Sequence, residues 1–183
     1  MNLFWLNGYA TTSISQLVEA TGVTATSLYA IYGDKEGLFR AAVEHYWAGR
    51  AQYVEQLCQQ STTAREAVHA VLAAAAEGML DEAHPPGCML ALSTLNCPAE
   101  AAHLHEFVLG FRRLWERNLA ERIQRGVEEG DVPRGVDVAV MVDLVSTVIY
   151  GMSIRARDGT TSESLRGVAD ALMAAWPGSV DCN

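Results

Sequence analysis

The stretch Gly8 to Phe39, GYATTSISQLVEATGVTATSLYAIYGDKEGLF, decides how this chain folds. Ser13 and Gln16 have capping-box spacing, with a hydroxyl at N-cap and an amide at N3. Ile14, Leu17 and Val18 lay one apolar stripe along the helix that follows. Gly22 ends that helix where the chain needs φ > 0 and a Cβ would cost energy. Val23 is expected to plug the corner and Thr24 to cap the next helix. Leu28 and Ile31 are assigned to the inner face of this second helix, which turns Ala25, Thr26, Ser27, Tyr29 and Ala30 outward. Gly33 breaks the chain again, and Asp34 caps a third helix through Leu38, Phe39, Val43, Tyr46 and Trp47. Two short helices hinged at a glycine, with an aromatic link into a longer helix, have the layout of a helix-turn-helix.

The outward face suits a groove. Small residues allow close approach; Thr hydroxyls bond base edges, and Thr and Ala methyls meet a thymine methyl. Tyr29, Tyr32 and Lys35 suit phosphates. At this point the wording of the chain becomes specific. Gly8-Tyr9, Thr12-Ser13-Ile14, Ala20-Thr21-Gly22-Val23, Leu28-Tyr29 and Gly33-Asp34-Lys35-Glu36-Gly37-Leu38-Phe39 resemble the DNA-binding domain of the TetR family of bacterial repressors. The resemblance implies a DNA-facing set of Thr12, Ser13, Thr24, Ala25, Thr26, Ser27, Tyr29, Tyr32 and Lys35. Within it, Thr24 to Tyr29 would be the recognition helix, and Tyr29, Tyr32 and Lys35 would hold the DNA backbone. It also implies a helix-turn-helix domain over residues 1–45 and a ligand-binding and dimerisation domain over 46–183. A regulator of this kind binds a palindromic operator as a homodimer, usually represses, and lets go when a small molecule enters its second domain.

Composition fits an all-α chain. The 183 residues are 50% hydrophobic, ample for a core. Helix formers dominate and period-two alternation is scarce. No segment has the build of a signal peptide, and Val138 to Ile154, the most apolar stretch, reads as too short and too polar for a membrane span. Cytoplasmic residence is the expectation. Cys58, Cys88, Cys97 and Cys182 form no CxxC pair and no zinc spacing, so thiols at rest are expected and neither metal nor cofactor is assigned.

The net charge of −9 works against a polyanionic partner. Residues 1–50 hold Lys35, Arg40 and Arg50 against Glu19, Asp34, Glu36 and Glu44. Met1 to Leu6 reads as the last turns of a helix, so a longer first helix with a basic arm is expected ahead of it, and weak DNA binding without one.

Beyond the opening, helices are expected from Asp34 to about Gln60, Arg65 to Ala83, Cys88 to Asn96, Glu100 to Glu129, Asp137 to about Arg157, and from Ser162. Glu121 and Arg125 are read as an i,i+4 pair. The Asp137 helix is apolar nearly all round and needs cover on both faces, so a homodimer through residues 137–176 is expected.

For an effector cavity the candidate walls are Met79, Cys88, Met89, Phe107, Phe111, Trp115, Met141 and Tyr150, with His84-Pro85-Pro86-Gly87 as a possible entrance. Cys88 opens a short helix, where backbone N–H groups favour a thiolate. It therefore marks an alternative, an electrophile- or redox-sensing repressor with Cys97 as resolving partner. A helical dimeric interaction protein without DNA binding is the other alternative. No nucleophile elbow, phosphate loop or HExxH is present, and the histidines lack partners, so an enzyme is not expected.

Overall fold

Capping chemistry sets the first boundaries. In the computed structural model, which describes residues 1–178, Ser13 Oγ accepts from the Gln16 N–H at 3.2 Å. Gln16 Oε1 accepts from the Ser13 N–H at 2.7 Å, which closes the box that starts α2 (Ile14–Thr21). Gly22, at φ 67°, stops it. Thr24 accepts from the Ser27 N–H at 3.2 Å and starts α3 (Ala25–Tyr32). Gly33, at φ 82°, and the Asp34 cap lead into α4 (Lys35–Gln60). Ahead of these, α1 (Asn2–Thr11) kinks at Gly8, and the Tyr9 N–H that the kink frees donates to the Ser93 carbonyl at 2.9 Å.

The remaining helices are α5 (Ala64–Gly78), α6 (Met89–Leu92), α7 (Ala102–Glu129), α8 (Val138–Arg157) and α9 (Ser162–Ala174). A 3₁₀ turn, Ala99–Ala101, leads into α7. Among the described residues every element is helical, as composition required. α5 and α6 are shorter than expected. Past Gly78 the chain turns, with Gly87 N–H bonded to the Met79 carbonyl, and α6 closes after one turn as the Ser93 N–H returns to Met89. Cys182 lies outside the described residues. Arg125 pairs with Glu129 at 3.5 Å, not with Glu121 as the spacing suggested.

Two apolar clusters form. The larger joins α5, α7, α8 and α9 through Leu72, Ile123, Val145, Leu165 and Trp176. The smaller holds Phe4, Trp5, Leu17, Leu28, Phe39 and Val43, and is completed by Met89, Leu104 and Val108 from later in the chain. The first three helices thus do not close their own core; α6 and the start of α7 seal it. α4 runs through both halves, so a boundary near residue 45 falls inside a continuous helix.

α8 corrects one sequence reading. It is a 20-residue helix with mean hydropathy 1.5, long and apolar enough to cross a membrane by length and composition. Its other side is packed, with Met141, Val145, Ile149 and Met152 buried in the larger core. The expectation of cover on both faces is half met within one chain. Val140, Leu144 and Ile154 stay 60%, 45% and 53% exposed, and Thr147 and Gly151 between them are exposed as well. This alternating spacing of four and three residues is a seam of the kind that pairs helices. α9 and its C-cap carry a matching row of small or apolar exposed residues, Ser164, Val168, Ala171 and Ala175.

Candidate DNA-reading surface and effector cavity

α3 has two turns and one buried residue, Leu28, so it is held by a single anchor and its caps. Thr24, Thr26, Ser27, Tyr29 and Tyr32 are exposed, and Ala25 is half-buried. Thr24 Oγ1 and Ser27 Oγ lie 3.0 Å apart, which fixes both hydroxyls at the front of the helix. Ser13 is exposed at the cap of α2. Lys35 lies with Nζ 4.4 Å from the Tyr9 ring centroid and 3.5 Å from the Ala10 carbonyl, and partial burial pulls its pKa down. Its ammonium therefore rests on the end of α1, beside the reading helix.

Three readings of this surface change. Thr12 is fully buried, and its hydroxyl donates back to the Gly8 carbonyl at 2.7 Å, so it closes α1 and cannot reach DNA. Ile31 is 71% exposed, not inward. It sits roughly 60° around the helix from Leu28, too far on so short a helix for α4 to cover it. Val23 is also exposed, at 37%, and does not plug the corner. The outward face thus carries apolar groups beside its hydroxyls.

The second site lies between α4, α5, α6, α7 and α8. Of the eight residues offered for an effector site, Met79, Cys88, Trp115 and Tyr150 line one cavity of about 80 Å³. The other four candidates are elsewhere. Met89 is fully buried in the smaller core. Phe107 packs under the Arg40 guanidinium at 4.5 Å, Phe111 packs on Trp47 at 5.5 Å, and Met141 belongs to the larger core. In their place α4 supplies Tyr46, Trp47, Arg50 and Tyr53, and Arg112 and Ile149 complete the wall. Tyr46, Arg50 and Tyr53 follow helical spacing, so their shared face was readable; that they face a cavity was not.

Polar contacts are few and placed. The Tyr46 hydroxyl donates to Cys88 Sγ at 3.4 Å, and burial with the neighbouring sulfur pushes the phenol's pKa well up. The Tyr150 hydroxyl donates to Glu116 at 3.1 Å; burial, then that carboxylate, raise its pKa. Arg112 Nε donates to the Leu90 carbonyl at 2.7 Å and Nη2 to Ala91 at 3.1 Å, which pins α6 to α7.

The segment from Pro86 to Ser93 ties this cavity to both ends of the molecule. Cys88 N–H donates to Ser153 Oγ of α8 at 2.7 Å. Arg157, at the end of α8, donates to the Pro86 carbonyl at 3.3 Å, to Leu6 at 2.7 Å and to Trp5. Ser93 accepts from Tyr9, as described. A shift of Cys88 or Leu90 on the cavity wall is therefore hard-linked to α1 and α8. Cys97 is placed differently: its thiol donates to the Ala101 carbonyl at 3.2 Å, and burial raises its pKa. No metal-holding group of His, Cys, Asp and Glu occurs among the described residues.

Residues 1–42 match the family model of the TetR family of bacterial regulatory proteins, and residues 64–172 match a tetracyclin repressor-like C-terminal domain. The chain is 32% identical to the HTH-type transcriptional repressor ComR of Escherichia coli (strain K12), over 97% of this chain and 85% of that protein. It is 24% identical to the repressor BdcR of the same organism, covering 91% of this chain and 80% of that one. A cysteine mutant of the TetR family regulator CifR, solved with 26bp double-strand operator DNA, superposes with a TM-score of 0.93 at 31% identity, covering 96% and 92% of the two chains. The helix-turn-helix geometry of α2 and α3 agrees with these matches, and the chain belongs to the TetR family of bacterial transcriptional regulators.

Proposed function

We propose that this protein is a repressor that binds a two-fold symmetric operator as a homodimer and releases it when a small molecule occupies the α4–α8 cavity. The observation that carries the reading is the outward face of α3, where Thr26, Ser27, Tyr29 and Ile31 stand exposed on a helix fixed at both caps. Hydroxyls there reach base edges, and Ile31 adds an apolar contact for a thymine methyl. CifR bound to operator supports the same role here. The seams on α8 and α9 fit pairing with a second copy, which would set the spacing of two α3 helices. Occupying the cavity would move the Pro86–Ser93 segment, and with it α1, away from the DNA-competent spacing. A few kcal/mol of preference for the released state suffices.

The double substitution Tyr29→Ala with Lys35→Ala tests this reading against a DNA-free interaction protein. Operator affinity should fall about 1,000-fold, from about 1 kcal/mol lost per phosphate contact at two residues in each of two subunits, with the dimer and the helical spectrum retained. Unchanged operator affinity would sink the reading.

A second reading keeps the operator and changes the trigger. Cys88 lies on the cavity wall with Tyr46 bonded to its sulfur, a position where an electrophile or oxidant entering the cavity meets a thiol. Cys88→Ser would abolish the response to such reagents under this reading. An intact response in that variant excludes it.

A further inference from the structure

The effector cavity is apolar and aromatic, yet two guanidinium groups stand on its wall. Arg50 comes from α4 and Arg112 from α7. Neither forms an ion pair with a carboxylate among the described residues. Arg112 is occupied by the carbonyls of Leu90 and Ala91 and lies over the Tyr150 ring, 5.6 Å from its centroid, so its hydrogen bonds are largely spent although it meets no carboxylate. Arg50 differs: it makes no hydrogen bond to a described residue and lies against Gly78, where an added Cβ would stand 3.0 Å from Nη1. Of the carboxylates near these arginines, Glu116 takes its bond from Tyr150, Glu77 pairs with Arg166 at 3.2 Å, and Asp81, which lines a surface pocket with Arg50 and Glu77, accepts from the Ala83 N–H. Half-buried positive charge without a partner is costly in a chain whose net charge is −9 and which has acids to spare elsewhere.

Resting on the reading of this cavity as the effector site, we propose that its ligand is a small carboxylate with a planar apolar body, whose anion is held by Arg50. The walls set the shape of the ligand. Trp47, Tyr53, Trp115 and Tyr150 offer flat faces, and the cavity of about 80 Å³ is far below the several hundred Å³ of a drug-sized site. The fork of a guanidinium matches a carboxylate with two parallel hydrogen bonds. Arg50 lies on α4, whose start carries the corner into α3. A carboxylate drawn between Arg50 on α4 and the α6–α7 wall would therefore pull on the helix that positions the reading surface. A neutral ligand of the same shape would fill the cavity without that pull.

The test uses matched pairs of acids and amides, benzoate with benzamide and butyrate with butyramide, against the parent chain and Arg50→Met. Arg50 binds no described residue, so this variant should fold as the parent does, and its circular dichroism and melting curve check that. The acids should bind, benzoate above butyrate, and each should bind at least tenfold more tightly than its amide. Arg50→Met should erase the difference, a loss of about tenfold to hundredfold for a charged hydrogen-bonding group. Amides binding as well as acids, no acid binding, or an acid preference that survives in Arg50→Met would each overturn the proposal. Operator release is read in the same samples. Acids that bind through Arg50 without releasing operator would leave the anion site standing and defeat the effector reading instead.

Discussion

Gly37→Ala should remove operator binding, by about 100-fold or more, although the residue faces no DNA. A Cβ built on Gly37 stands 1.9 Å from the Tyr32 carbonyl oxygen and 3.1 Å from its carbon. The obstacle is backbone, so no side chain can rotate away, and α3 and α4 must separate at their corner. Tyr32 is the last residue of α3 and Gly37 lies in the first turns of α4. Separation there tilts the reading helix, which Leu28 alone anchors. A displacement of even an ångström takes short side chains such as Thr26 and Ser27 out of reach of base edges. The smaller core should survive in part, with a stability loss of about 1–3 kcal/mol, the cost of overpacking. Fluorescence anisotropy with labelled operator measures the affinity, and thermal melting measures the fold. Operator binding within threefold of the parent would show that the corner is looser than described.

If α8 and α9 pair two copies as proposed, Leu144→Glu should give a folded monomer. Leu144 is 45% exposed within the α8 seam, so a single subunit tolerates the change. In a two-fold interface each copy brings one new carboxylate, and both would be buried without a partner. Desolvating an unpaired charge costs several kcal/mol, so the dimer constant should weaken at least about 1,000-fold. Asp143 next to it adds charge of the same sign. Sedimentation or light scattering at micromolar concentration should report the monomer mass with an unchanged helical spectrum. Operator affinity should collapse with it, because one α3 reads few bases. A variant that stays dimeric would place the interface on another surface.

Much of the reading surface was legible because its signals are local. A capping box, two glycines at positive φ and an aspartate cap specify where α2, α3 and α4 begin and end, and each depends on neighbours within four residues. What failed depended on distant parts of the chain. Thr12 looked like its exposed neighbour Ser13, but it ends α1 and folds its hydroxyl back on that helix. Ile31 had the right spacing from Leu28 to face inward, yet α3 is too short for a partner to reach it.

The cavity shows the same limit more sharply. Phe107, Phe111 and Trp115 form an i,i+4 ladder, and the sequence placed all three on one wall. On α7 they are spread along roughly 12 Å of rise, and each meets a different neighbour: Arg40, then Trp47, then the cavity. α4 supplies most of the cavity's polar and aromatic wall, whereas the sequence marks it as the third helix after the turn and offers no cavity candidate on it. Periodicity gives the face of a helix; it does not say what that face meets. The need of α8 for cover was readable as an excess of apolar residues, and the structure divided that excess into a packed side and an open one.

Selection of bound duplexes from a random-sequence pool, at low salt and with the full chain, tests the central claim most directly. Two copies of α3 related by a two-fold axis should enrich a palindromic sequence whose half-sites lie about one helical turn apart or a multiple of it, bound by an even number of chains. Enrichment of an asymmetric sequence bound by a single chain, or no enrichment at all, would contradict it.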